Sequence, residues 1–143
     1  SLEVFDETMA IHARAAFVAV KAVLPHMSDG GRIISIGSNL AFRAAGQGLS
    51  AYSASKAALA GFTRALARDL GPRGISVSAI HPGSTDTDMN PATGPGAEQQ
   101  RAISTNNRFN DAGDVADLAL YLASPSGRAI TGTDLLIDNG ANA

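Results

Sequence analysis

Tyr52 and Lys56, in the run Tyr-Ser-Ala-Ser-Lys, are the residue types and spacing best suited to chemistry in this chain. On a helix, residues four apart share a face. A free phenol has a pKa of about 10 and is a weak acid at neutral pH. A positive charge about 4 Å away is worth roughly 4 kcal/mol at an effective dielectric near 20. An ammonium so placed makes the phenolic proton usable by a general acid or base. Ser38 lies upstream at the predicted end of a strand, and its hydroxyl can both donate and accept. The three groups together can hold an oxygen atom of a small molecule and pass a proton to or from it.

The elements that must position them follow from the hydrophobic pattern. Leu2, Phe5, Met9, Ala16, Val20 and Leu24 recur near a 3.6-residue period and predict one helix from Leu2 to Met27. Ser1 is available as its cap, with Glu3 in the first turn. Asp29-Gly30-Gly31 ends it, and Arg32 to Ser38 follows as a short buried strand. Asn39 to Ser50 is a loop. A second helix runs from Ala51 to Leu70, with Leu59, Phe62, Leu66 and Leu70 on one stripe. Ile75 to Ile80 is a second strand, and Thr133 to Asp138 a third. Between them, Ser84 to Asp111 is polar, with Met89, Ile103 and Phe109 as its apolar anchors and a short helix expected over Glu98–Ile103. Such a stretch in a compact domain is a candidate lid. Asp111 or Asp114 starts a third helix to Ala123, with Val115, Leu118 and Leu122 facing inward. Helices alternating with short strands predict an α/β fold with a parallel sheet of about three strands.

Composition narrows the functional classes. With 143 residues, 45% of them hydrophobic, the chain can bury a core. A net charge of −2 with scattered Lys and Arg argues against nucleic acid as a partner. There is no cysteine, which removes thiol chemistry and fits a cytoplasmic location. His12, His26 and His81 lack metal-ligand spacing, so no metal is expected. No uninterrupted apolar run approaches about 18 residues, so no membrane span is expected.

These residues resemble the short-chain dehydrogenase/reductase family over essentially the whole chain. The resemblance rests on Gly31 to Ser38, Tyr52 to Leu59, Pro82-Gly83 with Thr87 and Met89, Asp114-Val115-Ala116, Ile130-Thr131-Gly132 and Ile137 to Gly140. It implies a Rossmann-like sheet and hydride transfer between NAD or NADP and a small-molecule carbonyl or alcohol. Tyr52 is implied as general acid and base, with Lys56 assisting it and holding the nicotinamide ribose. Ser38 is implied to bind the substrate oxygen, and Pro82, Gly83 and Thr87 to shape the nicotinamide pocket. The residues alone leave alternatives: Ser38 and Pro82-Gly83 could be turn formers, and Thr87 a solvated hydroxyl. The resemblance also implies a homodimer or homotetramer paired through the two long helices.

His12 stands where the family usually carries an asparagine that supports a proton relay to the lysine. It is either a core histidine or a relay member. His81 replaces a small residue before Pro82-Gly83 and either lines the cofactor pocket or packs. His26 is expected at a helix C-terminal dipole. The family's Gly-rich phosphate loop has no counterpart in residues 1–143. The chain is therefore expected to be the C-terminal part of one Rossmann-like domain, its N-terminal dinucleotide-binding half absent. The rival reading is an inactive fragment or pseudoenzyme that acts only by association. Within the family the sequence resembles 3-oxoacyl-carrier-protein reductases, with Arg73 at a position that can meet an acidic carrier.

Overall fold

A computed structural model of the chain describes residues 1–143. Three parallel strands form one sheet in the order β1-β2-β3: β1 is Arg32–Ile36, β2 is Ser76–Pro82 and β3 is Thr133–Ile137. Five α-helical segments accompany them: α1 Leu2–Met9, α2 Ala15–Val23, α3 Ser50–Leu70, α4 Ala97–Ile103 and α5 Ala112–Ala123. The α/β class and the expected elements are present, with ends shifted by one or two residues.

The central strand β2 is buried at every position from Ser76 to His81. Its register sets Val77 beside Ile33, Ala79 beside both Ser35 and Asp134, and His81 beside Leu136. Leu66 and Leu70 of α3 pack with Ile75 and Val77, and Val20, Leu24, Met27 and Ile33 complete that core. Burying a Leu side chain in this way contributes about 1.5–3 kcal/mol. α3 lies over β2 and β3 while α5 lies over β1 and β2, without packing on each other. The two helices therefore occupy opposite faces. Both connections step the same way across the sheet, so they have opposite hands, and one departs from the right-handed rule.

α5 starts as its sequence prescribes. Asp111 accepts from Gly113 N, and the Asp114 side chain reaches back to Asp111 N at 2.8 Å. Leu122 is buried, with Val115 and Leu118 half-buried.

Four expectations change. The first helix is not uniform: a π-helical segment, Ala10–Arg14, joins α1 to α2, and a 3₁₀ turn, Leu24–His26, closes it. Its N-terminal apolar residues are open to solvent although α1 touches α3, with Leu2 74% exposed. Taken whole, Leu2–His26 is long and apolar enough to cross a membrane by length and composition, with mean hydropathy 1.2. An uninterrupted-run count misses this because isolated charges break the run, while the surrounding apolar residues keep the average high. Val20 and Leu24 pack partly buried against the core described above, while no residue of α1 or α2 is fully buried. Met89 is 96% exposed and anchors nothing, since it sits at a turn. Arg73 is not a free cation. Its guanidinium donates to Leu24 O and Met27 O and pairs with Asp29 at 2.9 Å, tying the first helix to the turn after α3.

Candidate active site

Ser38 follows β1 at its carboxyl end and is 8% exposed. Its hydroxyl oxygen accepts from Leu40 N at 3.2 Å, which starts a short turn, Asn39–Ala41, and leads the chain away from the sheet. The loop returns to α3, whose first turns carry Tyr52 and then Lys56. Ser38, Tyr52 and Gly83 line one cleft of about 360 Å³ at the carboxyl ends of the strands. Open parallel sheets bind small molecules at this end. Gly83 is required there: a Cβ would meet the Asp138 backbone at 2.8 Å, so only glycine lets the chain leave β2 so close to β3.

The Lys56 ammonium lies 5.8 Å from the Tyr52 ring centroid and donates to Ile36 O at 3.3 Å. Burial holds its pKa below the ordinary lysine value. His12, inside the π-helical segment, meets the Tyr52 ring edge-on with centroids 5.5 Å apart. Its Nδ1 lies 2.8 Å from Ser55 Oγ. The Ser55 hydroxyl gives its one proton to Tyr52 O at 2.7 Å, which assigns the imidazole proton to Nδ1 and leaves Nε2 as an acceptor. Burial, and then the charge of Lys56, lower the His12 pKa below its usual value. The imidazole is thus neutral at neutral pH. His12 and Lys56 both line a second, mostly apolar groove of about 430 Å³ beside β1.

Not every expected residue joins this group. Thr87 is exposed, outside the cleft, and its hydroxyl accepts from Asn90 N at 3.2 Å. Pro82 ends β2 without lining the cleft. His26, expected only at a helix end, stands there, exposed in the last turn of the 3₁₀ segment. His81 packs: it has no exposure and bonds to Ser38 and Asp134. The cleft also has walls that local reading did not single out, namely Arg43, Asn90, Gln100, Ser104, Arg108 and Asp138. Asn90 and Gln100 exchange hydrogen bonds at 3.0 and 2.9 Å, which folds the 84–111 stretch over the cleft. Ser55 inside the Tyr-x-x-x-Lys motif was readable only as a helix residue, yet it is wholly buried and joins His12 to α3.

A parallel α/β sheet with a tyrosine, a lysine one turn on and a serine at the neighbouring strand end is a scaffold for proton transfer at a small-molecule oxygen. A family model described as enoyl-(acyl carrier protein) reductase matches residues 1–142. The cyclic-di-GMP-binding biofilm dispersal mediator protein of Escherichia coli K12 is 38% identical over 96% of this chain and 58% of its own length. The 3-oxoacyl-[acyl-carrier-protein] reductase of Vibrio harveyi is 36% identical over 84% of this chain and 50% of its own. A short-chain dehydrogenase from Burkholderia cenocepacia J2315, solved with NADP, superposes with a TM-score of 0.97 at 52% identity, covering 100% of this chain and 58% of that one. The chain belongs to the short-chain dehydrogenase/reductase family. It spans between half and three-fifths of the length of these relatives.

Proposed function

We propose that the protein interconverts a carbonyl and a secondary alcohol on a small molecule, using NAD or NADP. The observation that carries this reading is the shared cleft: Ser38 and Tyr52 face one space at the strand ends, with Lys56 one helical turn beyond Tyr52. NADP in the Burkholderia cenocepacia structure supports the choice of cofactor class. The donor set fits the nicotinamide and ribose end of such a cofactor. Lys56 Nζ and the Tyr52 and Ser38 hydroxyls offer donors, and Gly83 keeps a wall free of side chain. When bound, the nicotinamide supplies or accepts a hydride. Its phosphates and adenosine would be held outside residues 1–143.

In reduction, Tyr52 Oη gives its proton to the carbonyl oxygen, and Ser38 Oγ holds that oxygen in place. In oxidation, Tyr52 takes the hydroxyl proton back. Lys56 holds its ammonium 5.8 Å from the Tyr52 ring centroid, on the side of the second groove. His12 extends the path: its neutral ring offers Nε2 as an acceptor in the groove it shares with Lys56. Its place in a π-helical segment supports a functional role, because such segments are frequent at functional sites. The family's usual asparagine gives way here to a group that itself titrates.

Residues 1–143 are read as the C-terminal part of one Rossmann-like domain. β1 pairs only with β2, no residue of α1 or α2 is buried, and the groove beside β1 has the apolar lining a neighbouring strand needs. Phe17 and Val18 on α2 are exposed and support association through the long helices. The test is Tyr52→Phe in the intact protein, with turnover and NADH and NADPH titration on the same samples. Turnover should fall by about a thousandfold or more, in line with loss of a general acid, while cofactor affinity stays within about threefold. Near-normal turnover in the variant overturns the mechanism. Absence of saturable binding by the intact wild type overturns the cofactor.

A further inference from the structure

His81 is a wholly buried imidazole that the proton path above leaves unused. Its Nδ1 lies 3.2 Å from Ser38 N and 3.1 Å from Ser38 O, and its Nε2 lies 2.9 Å from Oδ1 of Asp134. The other Asp134 oxygen pairs with Arg64 of α3. One placement of the proton gives both the buried Ser38 N–H an acceptor and Asp134 a donor, at the cost of leaving Nδ1 and Ser38 O as two acceptors 3.1 Å apart. The Ser38 N–H needs an acceptor, so Nδ1 must carry a lone pair. The Asp134 carboxylate needs a donor, so Nε2 must carry the proton. Ser38 O already accepts from Ala41 N at 3.0 Å and does not need the ring. The opposite tautomer would orphan the buried Ser38 N–H and turn a lone pair toward a carboxylate. Arg64, more than half exposed, supplies the countercharge that lets a carboxylate sit in the sheet at 14% side-chain exposure.

From this we infer that Arg64, Asp134 and His81 form a positioning array for Ser38. Asp134 sets the His81 tautomer, and His81 Nδ1 holds the Ser38 backbone through its N–H. That fixes the direction from which the Ser38 hydroxyl enters the cleft. The hydroxyl oxygen accepts from Leu40 N, which leaves its proton free to donate to a bound oxygen. The ring has no freedom to drift. Phe42 meets it edge-on with centroids 4.9 Å apart, and Gly37 presents bare backbone where any Cβ would fall 2.3 Å from Nδ1. The array spans three elements: α3, β3 and the end of β2. It rests on the role proposed above for Ser38.

The test combines a structural readout with kinetics on the intact protein. Nitrogen-15 NMR reads the His81 tautomer, and hydrogen exchange reads the Ser38 amide. Three variants are compared: Asp134→Leu, His81→Leu and His81→Asn, the last placing an amide oxygen where Nδ1 stands. In the wild type the proton should sit on Nε2 and the Ser38 amide should exchange slowly. His81→Asn should keep that protection and hold kcat within about threefold. Asp134→Leu and His81→Leu should speed Ser38 exchange and lower kcat about tenfold each, with cofactor affinity changed by less than about twofold. A proton on Nδ1 in the wild type overturns the array. So does unchanged Ser38 exchange in Asp134→Leu or, if that variant does not fold, a His81→Leu protein as protected as His81→Asn. A wild type with the Nε2 proton and a protected Ser38 amide but no turnover retains the array and refutes the oxidoreductase reading instead.

Discussion

Gly37→Ala is a one-methyl change with a large expected cost. A Cβ at that position would lie 2.3 Å from His81 Nδ1 and 2.5 Å from Cε1. The ring cannot step aside, because Asp134 holds Nε2 at 2.9 Å and Phe42 closes the other side. Overpacking of this kind costs about 1–3 kcal/mol. Displacing the ring also strands the buried Ser38 N–H, worth about 1–3 kcal/mol more. The sum, about 2–6 kcal/mol, is a large share of a domain's stability. Urea unfolding of the wild type, Gly37→Ala, His81→Ala and the double variant measures it by a thermodynamic cycle. His81→Ala is itself destabilising, but it empties the space. In that background Gly37→Ala should be neutral, or stabilising by about 0.5 kcal/mol through lost chain entropy. A coupling of about 2 kcal/mol or more is expected. A single Gly37→Ala variant within about 0.5 kcal/mol of wild type would refute the steric argument and the rigidity assigned to His81.

Other consequences concern pH and the Arg73 clamp. His12 has a lowered pKa in the folded protein, so the unfolded chain binds that proton more readily. Stability should therefore rise with pH between the lowered folded value and the ordinary value near 6.5, the burial cost being fully present below that window. His12→Asn should lack this rise, and parallel pH–stability curves for the two proteins would contradict it. Arg73→Met removes donors from two backbone carbonyls and from Asp29, and should cost about 1–3 kcal/mol in urea unfolding with turnover little changed. Loss of activity without loss of stability would restore Arg73 as a binding residue.

What the sequence by itself determined is what depends on neighbours a few positions apart. The Tyr52–Lys56 spacing, the acidic start of α5 at Asp111 or Asp114, the glycine stops and the strand–helix alternation all rest on contacts within one or two turns. Each appears in the structure within a residue or two of its expected place. The tertiary structure alone decided contacts between distant segments. His12 meets Ser55 across 43 positions, His81 meets Asp134 across 53, and Arg64 meets Asp134 across 70. No periodicity reports such pairs, because a residue's pattern tells which face it occupies but not which element lies opposite. The π-helical turn at His12 was hidden for a related reason. A single widened turn barely disturbs a 3.6-residue pattern. Arg73 and His81 show the same limit. The resemblance offered Arg73 a carrier contact and left His81 between a pocket wall and packing, and the chains packed around them supply carbonyls, an amide and a carboxylate that bind them into the frame.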